Sequence, residues 1–283
     1  LYIDRADKYT GLFGSFNGDK FIENLIVFGT VNSSSSSVGG ICGEICNGGG
    51  TIRNCAFIGD VKGSSGSIGG IVGFAWQNAN IENCYHNGNI TNTGSSSAGG
   101  IVGHCSLGYD LESNVVIDSC YHVGKITGYS AESGGILGYC EKFGNTTSNI
   151  SINNCYYLKD SVKSGVNGDI TSYDITKLSS NLLKNVAADL GTVYVTNKYS
   201  DLNDGYPIFF FQTSEGLLGD ANSDGSFNVA DVVMLQKWLL CAGELTCWGN
   251  VDFCQDNKID VFDLVLMKRY LINLGGTSSG LPS

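Results

Sequence analysis

"IENCYHNGNI", residues 81–90, decides the fold because it recurs. The block reads "IRNCAFIGDV" from Ile52, "IDSCYHVGKI" from Ile117 and "INNCYYLKDS" from Ile152, with a looser first copy, "IENLIVFGTV", from Ile22. Ahead of each block stands a glycine-flanked tetrad: "GLFG" at 11–14, "GICG" at 40–43, "GIVG" at 70–73 and 100–103, and "GILG" at 135–138. Successive tetrads start 29, 30, 30 and 35 residues apart, so residues 1–158 read as five copies of one unit. Polar insertions such as "SLGYDLESN" take up the longest interval, and Ser-rich runs at 33–37, 63–67 and 94–98 separate the blocks like loops on one edge.

Short β-rich blocks with glycine at the corners and no helical period predict a β-solenoid, in which each unit is one coil that buries its inner face against the next. Equivalent residues then stack about 4.8 Å apart. Leu25, Cys55, Cys84, Cys120 and Cys155 form one column of small apolar side chains turned inward. Asn24, Asn54, Asn83, Ser119 and Asn154 form another, whose side-chain amides can bond along the axis. A third, Phe57, His86, His122 and Tyr157, with Tyr85, Tyr121 and Tyr156 beside it, is expected to point outward as an aromatic stripe. That stripe is the candidate platform for a polysaccharide or cell-surface ligand.

Residues 159–213 read as the cap that an open coil end requires. "DITKLSSNLLKNVAADLG" places Ile175, Leu178, Leu182, Val186 and Leu190 at helical spacing with Gly191 at the stop, and the strand-like runs "TVYVT" and "YPIFFFQ" follow.

The chemistry lies further on. "DANSDGSFNVAD", residues 220–231, puts oxygen at nearly every second position and then runs into the apolar "VVMLQKWLL". A 12-residue calcium loop takes ligands from its first, third, fifth, seventh, ninth and twelfth places. Here these are Asp220, Asn222, Asp224, Ser226 through its backbone carbonyl, Asn228 and Asp231, with Gly225 at the sharp turn. The pattern returns 32 residues later in "DFCQDNKIDVFD", residues 252–263, with Asp252, Asp256, Lys258 (backbone), Asp260 and Asp263 in the ligand places. Two departures stand out in that copy. Cys254 replaces the third ligand, a poor donor for a hard cation, and Asn257 stands where Gly is usual, although Asn tolerates the left-handed turn. Each loop leads into one amphipathic helix, and neither has a convincing entering helix before it.

Composition agrees with a chain that carries cations. A formal net charge of −11 argues against nucleic acid or anionic membrane as partners, and no apolar run approaches the roughly 20 residues of a membrane span. The 11 cysteines contain no CxxC pair, against a zinc knuckle. Cys241, Cys247 and Cys254 lie close enough in sequence for a disulfide in a small extracellular module. Within the repeats the carboxylates are scattered, with no aligned pair, and Cys105 follows His104 directly, so the two face opposite sides of a strand. No catalytic residues are assigned. The chain opens "LYIDRADKYT", without a charged-then-apolar leader, so any secretion signal is expected upstream.

The repeats resemble the GLUG-motif repeats of bacterial surface and secreted proteins, including parts of some large peptidases. The third letter of the tetrad here is Phe, Cys, Val, Val and Leu, and the resemblance covers about half the chain. Residues 217–274, a duplicated loop–helix unit, resemble a divergent dockerin of the type I kind, and residues 275–283 read as a flexible tail. The dockerin resemblance implies a small all-α module holding two calcium ions and docking a scaffoldin cohesin in a cellulosome, an extracellular assembly for polysaccharide degradation in an anaerobic bacterium. By the same resemblance, cohesin contact falls on Val229, Ala230, Gln236 and Lys237 in the first copy and on Val261, Phe262, Lys268 and Arg269 in the second. The expected function is that of a non-catalytic β-solenoid carried by a calcium-dependent plug. The alternative is a fragment of a secreted carbohydrate-active enzyme or peptidase, or a solenoid with adhesive activity.

Overall fold

Each repeat contributes short strands, and the repeats pair with one another in parallel. The computed structural model describes residues 1–5, 8–18, 20–46, 48–108, 114–128, 131–143, 148–170, 172–197, 202–212, 218–222, 226–245, 248–254 and 258–275. They fall into two units, Leu1–Pro207 and Ile208–Ser283.

In the first unit, Ile22, Ile52, Ile81, Ile117 and Ile152 lie side by side in one sheet. Cys42, Val72, Val102 and Leu137 do so in a second, and Val31, Val61, Ile90 and Ile126 in a third. The repeat of the sequence is thus the register of the sheets. Ile41, Ile71, Ile101 and Ile136 join these residues in one core and are fully buried. Each such side chain contributes about 1.5–3 kcal/mol by leaving water.

The asparagine column has two physical causes. Asn24, Asn54, Asn83, Ser119 and Asn154 all carry φ between 49° and 56°, the left-handed region that Asn enters more readily than most residues. Their side chains also bond along the axis: Asn54 Nδ2 donates to Asn24 Oδ1 at 3.0 Å and Asn83 Nδ2 to Asn54 Oδ1 at 3.2 Å. In the last two repeats Asn154 Nδ2 donates to the Ser119 hydroxyl at 3.2 Å, and that hydroxyl donates to Asp118.

The aromatic column does not point outward. Phe57, His86 and His122 are wholly buried and Tyr157 is 3% exposed. These rings lie against Gly40, Gly70, Gly100 and Gly135. A Cβ on Gly70 would lie 2.4 Å from His86 Cγ and 2.2 Å from the Gly100 carbonyl oxygen, so the glycine makes the room that the ring fills. Tyr85 and Tyr121, on the opposite side of the strand, are buried as well. The segment up to Pro207 covers them: Tyr121 Oη donates to the Pro207 carbonyl, and Asn203 Nδ2 donates to Tyr121 Oη at 2.6 Å. The expected ligand platform is therefore interior packing on one face and a covered surface on the other. Gly70→Val is expected to destabilise the first unit by about 3 kcal/mol or more through overpacking, read as a lower urea midpoint.

The cap differs from its helical reading. Ile175–Leu178 is a strand in register with Cys155–Leu158, and Ser164–Gly168 pairs with the second sheet. Only Ser180–Leu183 and Ala187–Leu190 are helical, one turn each, and Leu182 is exposed. The last repeat leaves backbone donors and acceptors that need partners. A segment beginning with β-branched Ile175 and Thr176 supplies them better as a strand than as a helix.

The second unit holds helices Val229–Leu239 and Val261–Gly275, with a single turn, Trp248–Val251, ahead of the second loop. The two long helices pack together around Ala221, Val232, Leu235, Leu245, Val251, Leu264 and Met267. A core this small needs a staple.

Candidate functional site: two cation loops and the helices they hold

Each loop is organised by a buried carboxylate at its last position. Asp231, fully buried, accepts the backbone N–H of Asn222 on Oδ1 at 3.2 Å and that of Asn228 on Oδ2 at 2.8 Å. Asp263, also fully buried, accepts Cys254 N–H at 3.0 Å and Asp260 N–H at 2.8 Å. The residue before each helix caps it. Asn228 Oδ1 accepts Ala230 N–H at 2.8 Å, and Asp260 Oδ1 accepts Phe262 N–H at 2.7 Å. The described parts of the two loops make the same hydrogen bonds, 32 residues apart.

A buried carboxylate without a countercharge costs several kcal/mol, and each loop buries one beside further oxygens. Asp220 is nearly buried, and its carbonyl accepts Asn250 Nδ2 at 2.8 Å. In the second loop the ligand atoms of Asp252, Cys254 and Asp263 lie within 4.8 Å of one another. Ser226 and Lys258, expected to contribute backbone carbonyls, are at the surface. Asp224 and Gly225 in the first loop, and Asp256 and Asn257 in the second, lie outside the described residues. What is described of the first loop is an all-oxygen set suited to a hard cation. The second breaks that set at Cys254.

Residues 218–272 match the dockerin type I domain. Residues 64–91 match the GLUG motif, so the dockerin follows a repeat region of that kind. No curated protein and no solved structure matches the chain. Dockerin type I domains bind calcium, and a dockerin implies a cohesin partner in assemblies of the cellulosome type.

The residues singled out on the dockerin helices are all exposed. Val229 and Phe262 are each 68% exposed and Val261 is 57% exposed; Ala230, Gln236, Lys237, Lys268 and Arg269 are also at the surface. The structure adds four that sequence reasoning missed. Val233 and Leu240 continue the first outer stripe, and Val265 and Ile272 continue the second, all exposed. Each dockerin helix therefore carries two apolar faces. Val232 and Leu235, with Leu264 and Met267 as their counterparts, point into the core. The other face points to water. The signal was present as a surplus of apolar residues beyond the single stripe that a two-helix core requires.

The repeat region holds one further chain of polar groups. Ser97 Oγ stands 3.3 Å from His104 Nδ1, and His104 Nε2 stands 3.3 Å from Glu141 Oε1. The residue types are those of a nucleophile, a base and an orienting acid. Ser97 is 3% exposed, however, and neither described cavity is lined by any of the three. His104 is instead stacked on Phe74 with ring centroids 5.0 Å apart, while Cys105 points into the core.

Cys241 and Cys254 are both exposed, and Cys247 lies outside the described residues. Burial pushes the thiols of Cys84, Cys120 and Cys155 well above their ordinary pKa, whereas the hydrogen bond with Cys84 lowers that of Cys55; all four are packed in the core. No helix of the described residues is long and apolar enough to cross a membrane.

Proposed function

We propose that this chain is a non-catalytic component of a cellulosome-type assembly, in which the dockerin binds a scaffoldin cohesin and presents the repeats as a β-solenoid. The observation that carries the reading is the twin arrangement of the loops. In each, a buried aspartate closes the loop and opens a helix with an exposed outer stripe. One divalent cation per loop would neutralise the buried carboxylates and hold two helices that bury little surface alone. Metal binding is then folding energy for the module. In-register parallel pairing from repeat to repeat supports the solenoid reading. The dockerin match supports a secreted protein of an anaerobic bacterium, active outside the cell.

Capture of the full chain on a panel of immobilised cohesins, with calcium and with EDTA, tests the proposal. Calcium-dependent retention on at least one cohesin is the expected result, and no retention on any would refute it. Two similar helices offer two binding orientations, but Val229–Ala230 and Val261–Phe262 differ in bulk. One face should dominate. Phe262→Ala and Val229→Asp, made separately, are expected to differ in cohesin affinity by at least about tenfold, because truncating a central anchor costs about 2 kcal/mol and a peripheral residue little. Equal losses would show that neither face dominates.

A further inference from the structure

The second loop departs from a calcium site at one donor, and the geometry shows what stands there instead. Asn222 and Cys254 occupy the same place in one hydrogen-bond frame, each donating its backbone N–H to the closing aspartate. The next pair, Asn228 and Asp260, is equivalent in the same way. Cys254 thus holds the backbone place in the second loop that Asn222 holds in the first. Sγ lies 3.8 Å from Asp252 Oδ1, and the third ligand atom of the group comes from buried Asp263.

Calcium takes six to eight oxygens, and a thiol is a poor member of that shell. A tetrahedral cation with sulfur at about 2.3 Å and oxygen at about 2.1 Å needs a sulfur–oxygen separation of about 3.6 Å. The observed separation is close to that. Two independent observations place a cation here: the dockerin match spans both loops, and three ligand atoms converge in this one.

We propose that the second loop is a mixed thiolate–carboxylate site that selects a thiophilic divalent cation of the zinc class over calcium, so that the two loops load with different metals. The inference rests on the dockerin reading, which puts a cation in each loop. When the metal–sulfur bond forms, the thiol proton passes to solvent, to which Cys254 is open. Each outer helix face then depends on its own metal, and the Val261–Phe262 face forms only where a thiophilic ion is present.

Equilibrium dialysis of the full chain tests this, first against calcium alone and then with zinc or cadmium. Cadmium also serves as an optical probe, because a cadmium–thiolate bond absorbs in the ultraviolet. The expected result is one calcium per chain, then one zinc or cadmium that excess calcium fails to displace. The cadmium absorption disappears in Cys254→Ser and persists in Cys241→Ser and in Cys247→Ser, which remove the other two thiols of the second unit. Cys254→Asn, which copies the first loop, takes up a second calcium with affinity raised at least about tenfold. Two calcium ions bound with equal affinity by the native chain, or cadmium absorption surviving Cys254→Ser, would overturn the inference and leave the dockerin reading intact. No uptake of any of these metals would overturn the dockerin reading itself.

Discussion

Asp231→Ala is expected to unfold the helices Val229–Leu239 and Val261–Gly275 and abolish cohesin capture while the parallel sheets remain. The carboxylate is fully buried and holds the backbone of Asn222 and Asn228 as well as being a candidate cation ligand. Two charge-assisted hydrogen bonds at about 1.5–3 kcal/mol each amount to about 3–6 kcal/mol. The whole stability of a small unit is on the order of 5 kcal/mol, so the loss is nearly complete before the cation is counted. Circular dichroism should show the helical signal gone and the β signal kept. A helical spectrum equal to that of the native chain would mean that packing, not the loop, holds the second unit. Asp231→Asn separates charge from shape: it keeps an acceptor oxygen but removes the negative charge, so any folding it retains should no longer respond to calcium.

The second large effect belongs to the repeats and to acid. His86 and His122 stack inside the core with Nδ1 atoms 3.1 Å apart, and His86 Nε2 meets the Gly59 carbonyl oxygen at 2.9 Å. A carbonyl only accepts, so His86 carries its proton on Nε2, and His122 donates from Nδ1 to the bare Nδ1 of His86. The His122 Nε2 lone pair is then buried without a partner. Burial lowers the His86 pKa from 6.5 to about 4, with the Gly59 carbonyl and Asp60 acting weakly in the opposite sense. Burial and the neighbouring His86 lower His122 further.

The sign follows from proton uptake. Between the two pKa values the unfolded chain binds protons that the native core refuses, so stability is complete above about pH 6.5 and falls as the pH drops toward about 4. His86 alone should remove about 2 kcal/mol between about pH 7 and about pH 5, and His122 adds a loss of the same sign. His86→Phe/His122→Phe, which extends the stacking chemistry of Phe57 and Tyr157 in the same column, should abolish that part of the loss. Urea denaturation at the two pH values measures it. An unchanged pH dependence in the double variant would place the acid sensitivity elsewhere.

Much of this architecture was legible, and what was missed has identifiable causes. The period of the tetrads and of the Ile-x-x-Cys blocks carried the parallel registers, because parallel pairing of equivalent strands puts equivalent residues side by side. The face of the His86 column was not legible. Alternation tells neighbours apart only when one side of a sheet meets water, and here Tyr85 and His86 are both buried. The space that admits the rings comes from glycines distant in sequence. Helical spacing at Ile175–Leu178 was overruled by the unpaired edge of the last repeat, a tertiary demand that local pattern does not record. In the loops, the spacing of the oxygens was visible in the sequence, and so was the break in it at Cys254. The closing role of Asp231 and Asp263, each tying down two backbone amides, needed coordinates. Val233, Leu240, Val265 and Ile272 were hidden because an apolar residue on a helix does not announce which face it serves.

Amide hydrogen exchange on the full chain, with calcium and zinc together and then with EDTA, tests most directly whether cations hold the second unit. Exchange in Val229–Leu239 and Val261–Gly275 should be slow with the ion and fast without it, while the strands bearing Ile52, Ile81 and Ile117 stay protected in both. Helices equally protected after chelation would contradict the account.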